Sequence, residues 1–335
     1  MSFYSAALGS FVADALAMPG HWYYDRQALK EDYGSLDEYK APRSPHPDSI
    51  LSRSEYHPLN SEGEILHDQA EYWGQSGIHY HQFLKAGENT LNLQLAQLLM
   101  RQIQATKQYD AGLWLDVYIQ FMRTPGNHRD TYLEECHRGF FTNYAKGKNK
   151  RKCSTRDEHI GGLASVPALL AALPAEANWR AIVREHVVLT HRHSNVIRAA
   201  DCLARLLHAL ANGISLREAI AKAAGDWFST RKAQGWSIRP DKVVIGRILS
   251  PACYINHSFP AALYLAWKYH DDFEAGIVAN AMVGGDNCHR GVVVGALLGF
   301  ANKIKPHWQK GLTSQQLKGL TGLTFPEGEP SSPSR

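Results

Sequence analysis

The chain concentrates reactive side chains in Gly284-Gly285-Asp286-Asn287-Cys288-His289-Arg290-Gly291, directly before an apolar stretch over 292–300. Paired glycines let a backbone bend and approach another group closely. Acid, amide, thiol, imidazole and guanidinium then follow at an expected helix start. Free N–H groups and the helix dipole favour anions there. The stretch suits a phosphate, a metal-bound hydroxyl or a thiolate. Cys288 reads as a nucleophile whose thiolate a helix start would favour, with His289 or His191 as base. Asp286 reads as a helix cap that also faces a site. The plain alternative for Cys288 is a small buried residue.

Three more polar clusters interrupt apolar patterns. Asp14 lies in an alanine-rich run that ends at Pro19-Gly20-His21-Trp22, and an acid there is costly if buried without partners. Gly87-Glu88-Asn89-Thr90 opens a helix-like segment. Thr190-His191-Arg192-His193 separates two others. Helix ends far apart in sequence can meet in one cleft. Glu88, Asp286, His191 and His289 join Cys288 as catalytic candidates. Asp14, Asn89, Thr90, Asn287, His193 and Trp22 are candidates for holding substrate. If a metal binds, Asp286, Cys288, His289 and Glu88 are its ligand candidates, a set softer than a magnesium site needs.

The elements that must position these groups are helices. Apolar residues recur at helical spacing over 91–105, 163–173, 195–211, 259–269, 273–283 and 292–301, and alternating β-like runs are nearly absent. Small residues on these helices allow close crossing. The expected fold is a compact, all-α, multi-helix domain over 1–323, with a disordered proline- and serine-rich tail over 324–335. Segments 24–62 and 126–160 are polar excursions of the kind that form lids or binding loops. A net charge of +4 with scattered Lys and Arg argues against nucleic acid. The basic run over 146–152 reads as a solvated loop. Five cysteines without a CxxC pair suit a reducing cytoplasm. No window is long and apolar enough for a membrane span.

In order and spacing the clusters resemble the ADP-ribosylglycohydrolase family. Asp14-Ala15-Leu16 is similar to its opening G-D-A-L-G helix, and Gly87-Glu88-Asn89-Thr90 stands at its [ST]-D-D-T motif. Gly161-Gly162-Leu163-Ala164 resembles its mid-chain element, and Thr190-His191 its T-H junction. Gly284-Gly285-Asp286-Asn287-Cys288-His289 resembles G-G-D-x-D-T. The resemblance implies an orthogonal all-α fold. It also implies hydrolysis of a ribosyl or ADP-ribosyl bond in a nucleotide- or sugar-like small molecule, assisted by two Mg²⁺ ions. Gly87, Asn89, Cys288 and His289 depart from the metal-binding pattern. The expectation is therefore a hydrolase without the usual two-ion centre. The alternatives are a cysteine-nucleophile hydrolase or transferase on another small molecule, and an inactive nucleotide- or sugar-binding module.

Overall fold

The computed structural model describes residues 2–312. The expected tail over 324–335 lies outside them. Among the described residues there is no strand, only three isolated bridges, so the all-α expectation holds.

The helices in chain order are α1 (Phe3–Ala17), α2 (Arg26–Tyr33), α3 (Leu91–Thr106), α4 (Ala111–Arg123), α5 (Glu135–Ala145), α6 (Val166–Ala172), α7 (Trp179–Val188), α8 (Ser194–Ala211), α9 (Leu216–Ala223), α10 (Thr230–Ser237), the single turn α11 (Asp241–Val243), α12 (Ile255–Lys268), α13 (Phe273–Met282), α14 (Asn287–Ala301) and α15 (Pro306–Gly311).

Helices α1 and α14 form the centre. Every residue of α1 from Ala6 to Ala17 is buried, and so is every residue of α14 from Asn287 to Phe300. Neither has a polar face, as expected of helices enclosed on all sides. Full burial of Phe11 and Leu16 contributes about 1.5–3 kcal/mol each. The two helices touch through glycine. A Cβ on Gly9 would lie 2.1 Å from the Gly295 carbonyl oxygen, and one on Gly295 would lie 2.2 Å from that of Gly9. Helices α6, α8, α12 and α13 pack around this pair, and α3 packs against α6. Segments 34–90 and 124–165 run over one end of it, mostly as short 3₁₀ turns and loops.

Candidate active site

The close α1–α14 contact sets the start of α14 against the end of α1. Helix α14 begins at Asn287 rather than at 292, because Asp286 caps it: its Oδ1 accepts the His289 N–H at 3.3 Å. Gly284 and Gly285 both have φ +66°, a backbone open to glycine, and a Cβ on either would collide with the carbonyl oxygens of Tyr23 or Pro251. Arg290 secures the turn, donating to the Asn280 and Gly284 carbonyls at 3.0 and 2.8 Å. Asn287 does similar work, donating to the Gly20 and Ala281 carbonyls. Its side chain is a structural tie rather than a cleft group.

Adjacent residues on a helix point in different directions, and the first turn of α14 separates its candidates accordingly. His289 reaches two carboxylates: its Nδ1 is 2.8 Å from Asp286 Oδ1 and its Nε2 is 3.2 Å from Glu134 Oε1. Cys288 points the other way, 3.7 Å from the Asp14 carbonyl and without exposed surface. Burial, with the Asp14 and Asp286 carboxylates nearby, pushes its thiol well above the usual range. Such a group is a buried thiol, not a thiolate facing substrate.

The contacts continue beyond His289. Asp286 Oδ1 lies 3.1 Å from His21 Nε2, His21 Nδ1 lies 2.7 Å from His81 Nε2, and His81 Nδ1 contacts Asp130. The result is a chain of acids and imidazoles from Glu134 to Asp130, with His21 and His81 adjacent in it. Burial lowers His21 to about 3. Burial opposes charge on His289 too, but Asp286 and Glu134 outweigh it and raise its pKa well above the usual value. Burial raises Glu134, yet the His289 charge prevails and holds it at about 2. Asp286 is likewise held well below the ordinary carboxylate range by His289 and His21 against the effect of burial. Asp286 Oδ2 and Asp130 Oδ2 are buried with no hydrogen-bond partner among the described residues, so the network has unfilled acceptor positions.

Glu134 ends this chain at a cleft of about 340 Å³. Its carboxylate takes Asn92 Nδ2 at 2.6 Å, and Gly161 leaves it room, since a Cβ there would stand 2.8 Å from Oε2. Trp22, Tyr80 and Tyr132 form an aromatic wall, with Arg53 and Tyr254 at the sides. Trp22 has φ 61°, stacks on His21 at 3.8 Å and meets Tyr80 and Tyr132 edge-on. Its N–H donates to the Gly285 carbonyl at 2.8 Å.

A second cluster adjoins the cleft. Asp157 Oδ1 lies 2.9 Å from His159 Nδ1 and 3.7 Å from His191 Nε2. Burial lowers His159, but hydrogen bonds with Asp157 and Cys253 outweigh it and raise the ring to about 11. Burial raises the Cys253 thiol, and the hydrogen bond with His159 opposes that rise. His191 lies beside a small cavity of about 50 Å³ and belongs to this cluster, not to the His289 chain.

Other expected residues are placed elsewhere. Glu88 accepts the Lys85 N–H and pairs with Arg129 on the outside, away from the cleft. Asp14 is fully buried and accepts Asn89 Nδ2, the Thr90 N–H and the Thr90 hydroxyl at 2.8–2.9 Å, so these three residues join α1 to the start of α3. His193 caps α8 through the Asn195 N–H. Of the sequence candidates, the structure thus places Trp22 at the cleft, with Asp286 and His289 buried behind it and joined to it through Glu134. The sequence reading had no role for Glu134, Asp130, Asn92, Asp157, His159 or Cys253. Its one relevant signal was the polar excursion over 126–160, which supplies four of them.

The residues do not fit two Mg²⁺ ions. Such ions need carboxylate, carbonyl and water oxygens. Asn89 and Thr90 donate to Asp14, Cys288 faces a backbone carbonyl, and Glu88 is held outside. Three groups of ligand atoms converge within 4.8 Å of one another: His21, Asp286 and His289; Cys136, Asp157 and His191; and Glu135, Asp157 and His159. The first lies at the start of α14. Two imidazoles and one carboxylate are a donor set for a single transition ion rather than for magnesium.

Among the described residues no helix is long and apolar enough to cross a membrane. No curated protein matches the chain at a significant level. A solved structure described as an ADP-ribosylglycohydrolase-related protein complex is similar over 96% of both chains, with a TM-score of 0.58 and 18% sequence identity, a likeness of fold. The sequence model of the ADP-ribosylglycohydrolases matches residues 2–331, nearly the whole length, and on that ground the chain belongs to the ADP-ribosylglycohydrolase family.

Proposed function

We propose that the chain hydrolyses a ribosyl- or ADP-ribosyl-type glycosidic bond in a small substrate, without a pair of Mg²⁺ ions. The observation that carries this reading is Glu134, an ionised carboxylate shared between the aromatic cleft and His289. Breaking a glycosidic bond builds positive charge at the anomeric carbon and ring oxygen. A preformed carboxylate at the floor of a partly enclosed cleft stabilises that charge more than it stabilises the neutral substrate. Trp22, Tyr80 and Tyr132 offer faces for a base or sugar ring, and Arg53 offers a charge for a phosphate. His289 keeps Glu134 and Asp286 ionised by lying between them. The attacking water supplies the hydroxyl to the anomeric carbon, and its proton goes to the leaving group.

The test is Glu134→Gln, assayed by release of ADP-ribose from N-linked and O-linked ADP-ribosyl conjugates. Loss of the charge should lower kcat by about 10²–10³-fold with little change in KM. Undiminished turnover by that variant would sink the assignment. If the unaltered protein binds ADP-ribose but cleaves neither conjugate, the hydrolytic reading fails and the binding-module alternative replaces it. Elemental analysis should find no two equivalents of magnesium.

A further inference from the structure

Four of the five cysteines are buried, and Cys253 is the one that meets solvent. It lines the same cleft as Trp22 and Glu134, and its setting is built on both sides. The Ile160 N–H donates to the Cys253 carbonyl at 2.9 Å, the Ile255 N–H donates to the Glu158 carbonyl at 2.9 Å, and His159 bridges Tyr254. These backbone ties set residues 253 and 159 side by side. Asp157 then fixes the His159 ring, accepting both its backbone N–H, at 2.8 Å, and its Nδ1. The Cys253 thiol is the other side-chain partner of that ring. An acid orienting an imidazole that faces a thiol is the arrangement that activates a sulfur nucleophile.

We infer that Cys253, His159 and Asp157 form a nucleophilic centre for an electrophilic carbon carried by a small ring-bearing molecule in the aromatic cleft. Asp157 holds His159 as an imidazolium from Nδ1. The thiol gives up its proton to water, and the imidazolium stabilises the thiolate. The sulfur forms a bond to the carbon as the bond from that carbon to its leaving group breaks. The leaving group departs with the electron pair and receives a proton from His159, which regains one from water. None of this requires the glycosidic reaction, so the two assignments stand or fall separately.

The experiment is timed alkylation of the full chain with iodoacetamide, read by peptide mass mapping. Cys253 should be the cysteine that reacts at neutral pH, with the four buried cysteines unmodified. His159→Ala should slow it about 10-fold or more, and Asp157→Asn less. N-phenyl iodoacetamide should outpace iodoacetamide at Cys253 about fivefold, once each is normalised to glutathione, because the cleft holds its ring. A Cys253 that stays unmodified in the folded chain overturns the proposal even if neither variant folds. It is equally overturned by a rate unchanged in folded His159→Ala, or by equal normalised rates for the two reagents. Stoichiometric zinc that blocks alkylation until chelated also overturns it, by making Glu135, Asp157 and His159 a metal site.

Discussion

Cys288 sits in the first turn of α14 with its sulfur against the Asp14 carbonyl and no exposed surface, whereas Cys253 lies in an irregular loop and lines the cleft. Cys288 has the more suggestive sequence surroundings, with two glycines and an acid before it and a histidine after it. Cys253 follows Ser250-Pro251-Ala252 and has none of these signals. The difference lies in packing. A helix start exposes its N–H groups only if its end is open, and the glycine contact between α1 and α14 closes the face on which Cys288 stands. A loop tied at two backbone points can hold a thiol at a surface without closing over it.

The sharpest way to test this contrast is to put a charge at each position. Cys288→Asp, which writes back the carboxylate of the family pattern, should destabilise the fold by about 3–5 kcal/mol, since the new charge is buried without a partner. Cys253→Asp should cost under about 1 kcal/mol, and chemical denaturation of both variants checks the pair. Equal losses would erase the distinction.

Acid should separate the regions next. Glu134 has a folded pKa below its ordinary 4.5, so its contribution is present above pH 4.5 and is lost as pH falls towards 2. That loss amounts to up to about 3 kcal/mol. Glu134→Gln should flatten the fall in stability between pH 5 and 3, measured by urea unfolding. The remaining slope should come from other depressed acids such as Asp286 and Asp157. His159, raised to about 11, works in the opposite direction. Its contribution is present below its ordinary 6.5 and is lost as pH rises towards 11. An unchanged acid slope in Glu134→Gln would mean that Glu134 is not coupled to His289.

The smallest effects concern thiol removal. Cys288→Ala should lower stability by about 1 kcal/mol through lost packing while leaving alkylation at Cys253 as it was. Cys253→Ser should change stability by under about 0.5 kcal/mol and abolish fast alkylation.

The sequence made α3, α6, α8, α12, α13 and α14 legible as apolar runs at helical spacing, and it located α14 to within a few residues. It also pointed to Asp286, His289 and Trp22. It could not show that Asp14, Asn89 and Thr90 satisfy one another, because their contacts join positions about 75 residues apart. Nor could it find Glu134 or Cys253. Both stand in irregular segments whose paths depend on distant anchors, Asn92 and His289 for the first and Glu158 and Ile160 for the second. Periodicity has nothing to say about such segments.

The contact between His21 and Asp286 spans 265 positions of the chain. At ribosomal speeds of 5–20 residues per second, roughly 13–53 s separate the synthesis of these two partners. Throughout that interval His21 and Asp14 exist without the acid, the imidazole and the α14 surface that enclose them. The centre of the molecule is therefore among the last regions to become native, and a nascent chain released before the α14 codons are read would have helices but no site. Assembly from helices so far apart in the chain makes the site a late check on everything made between them.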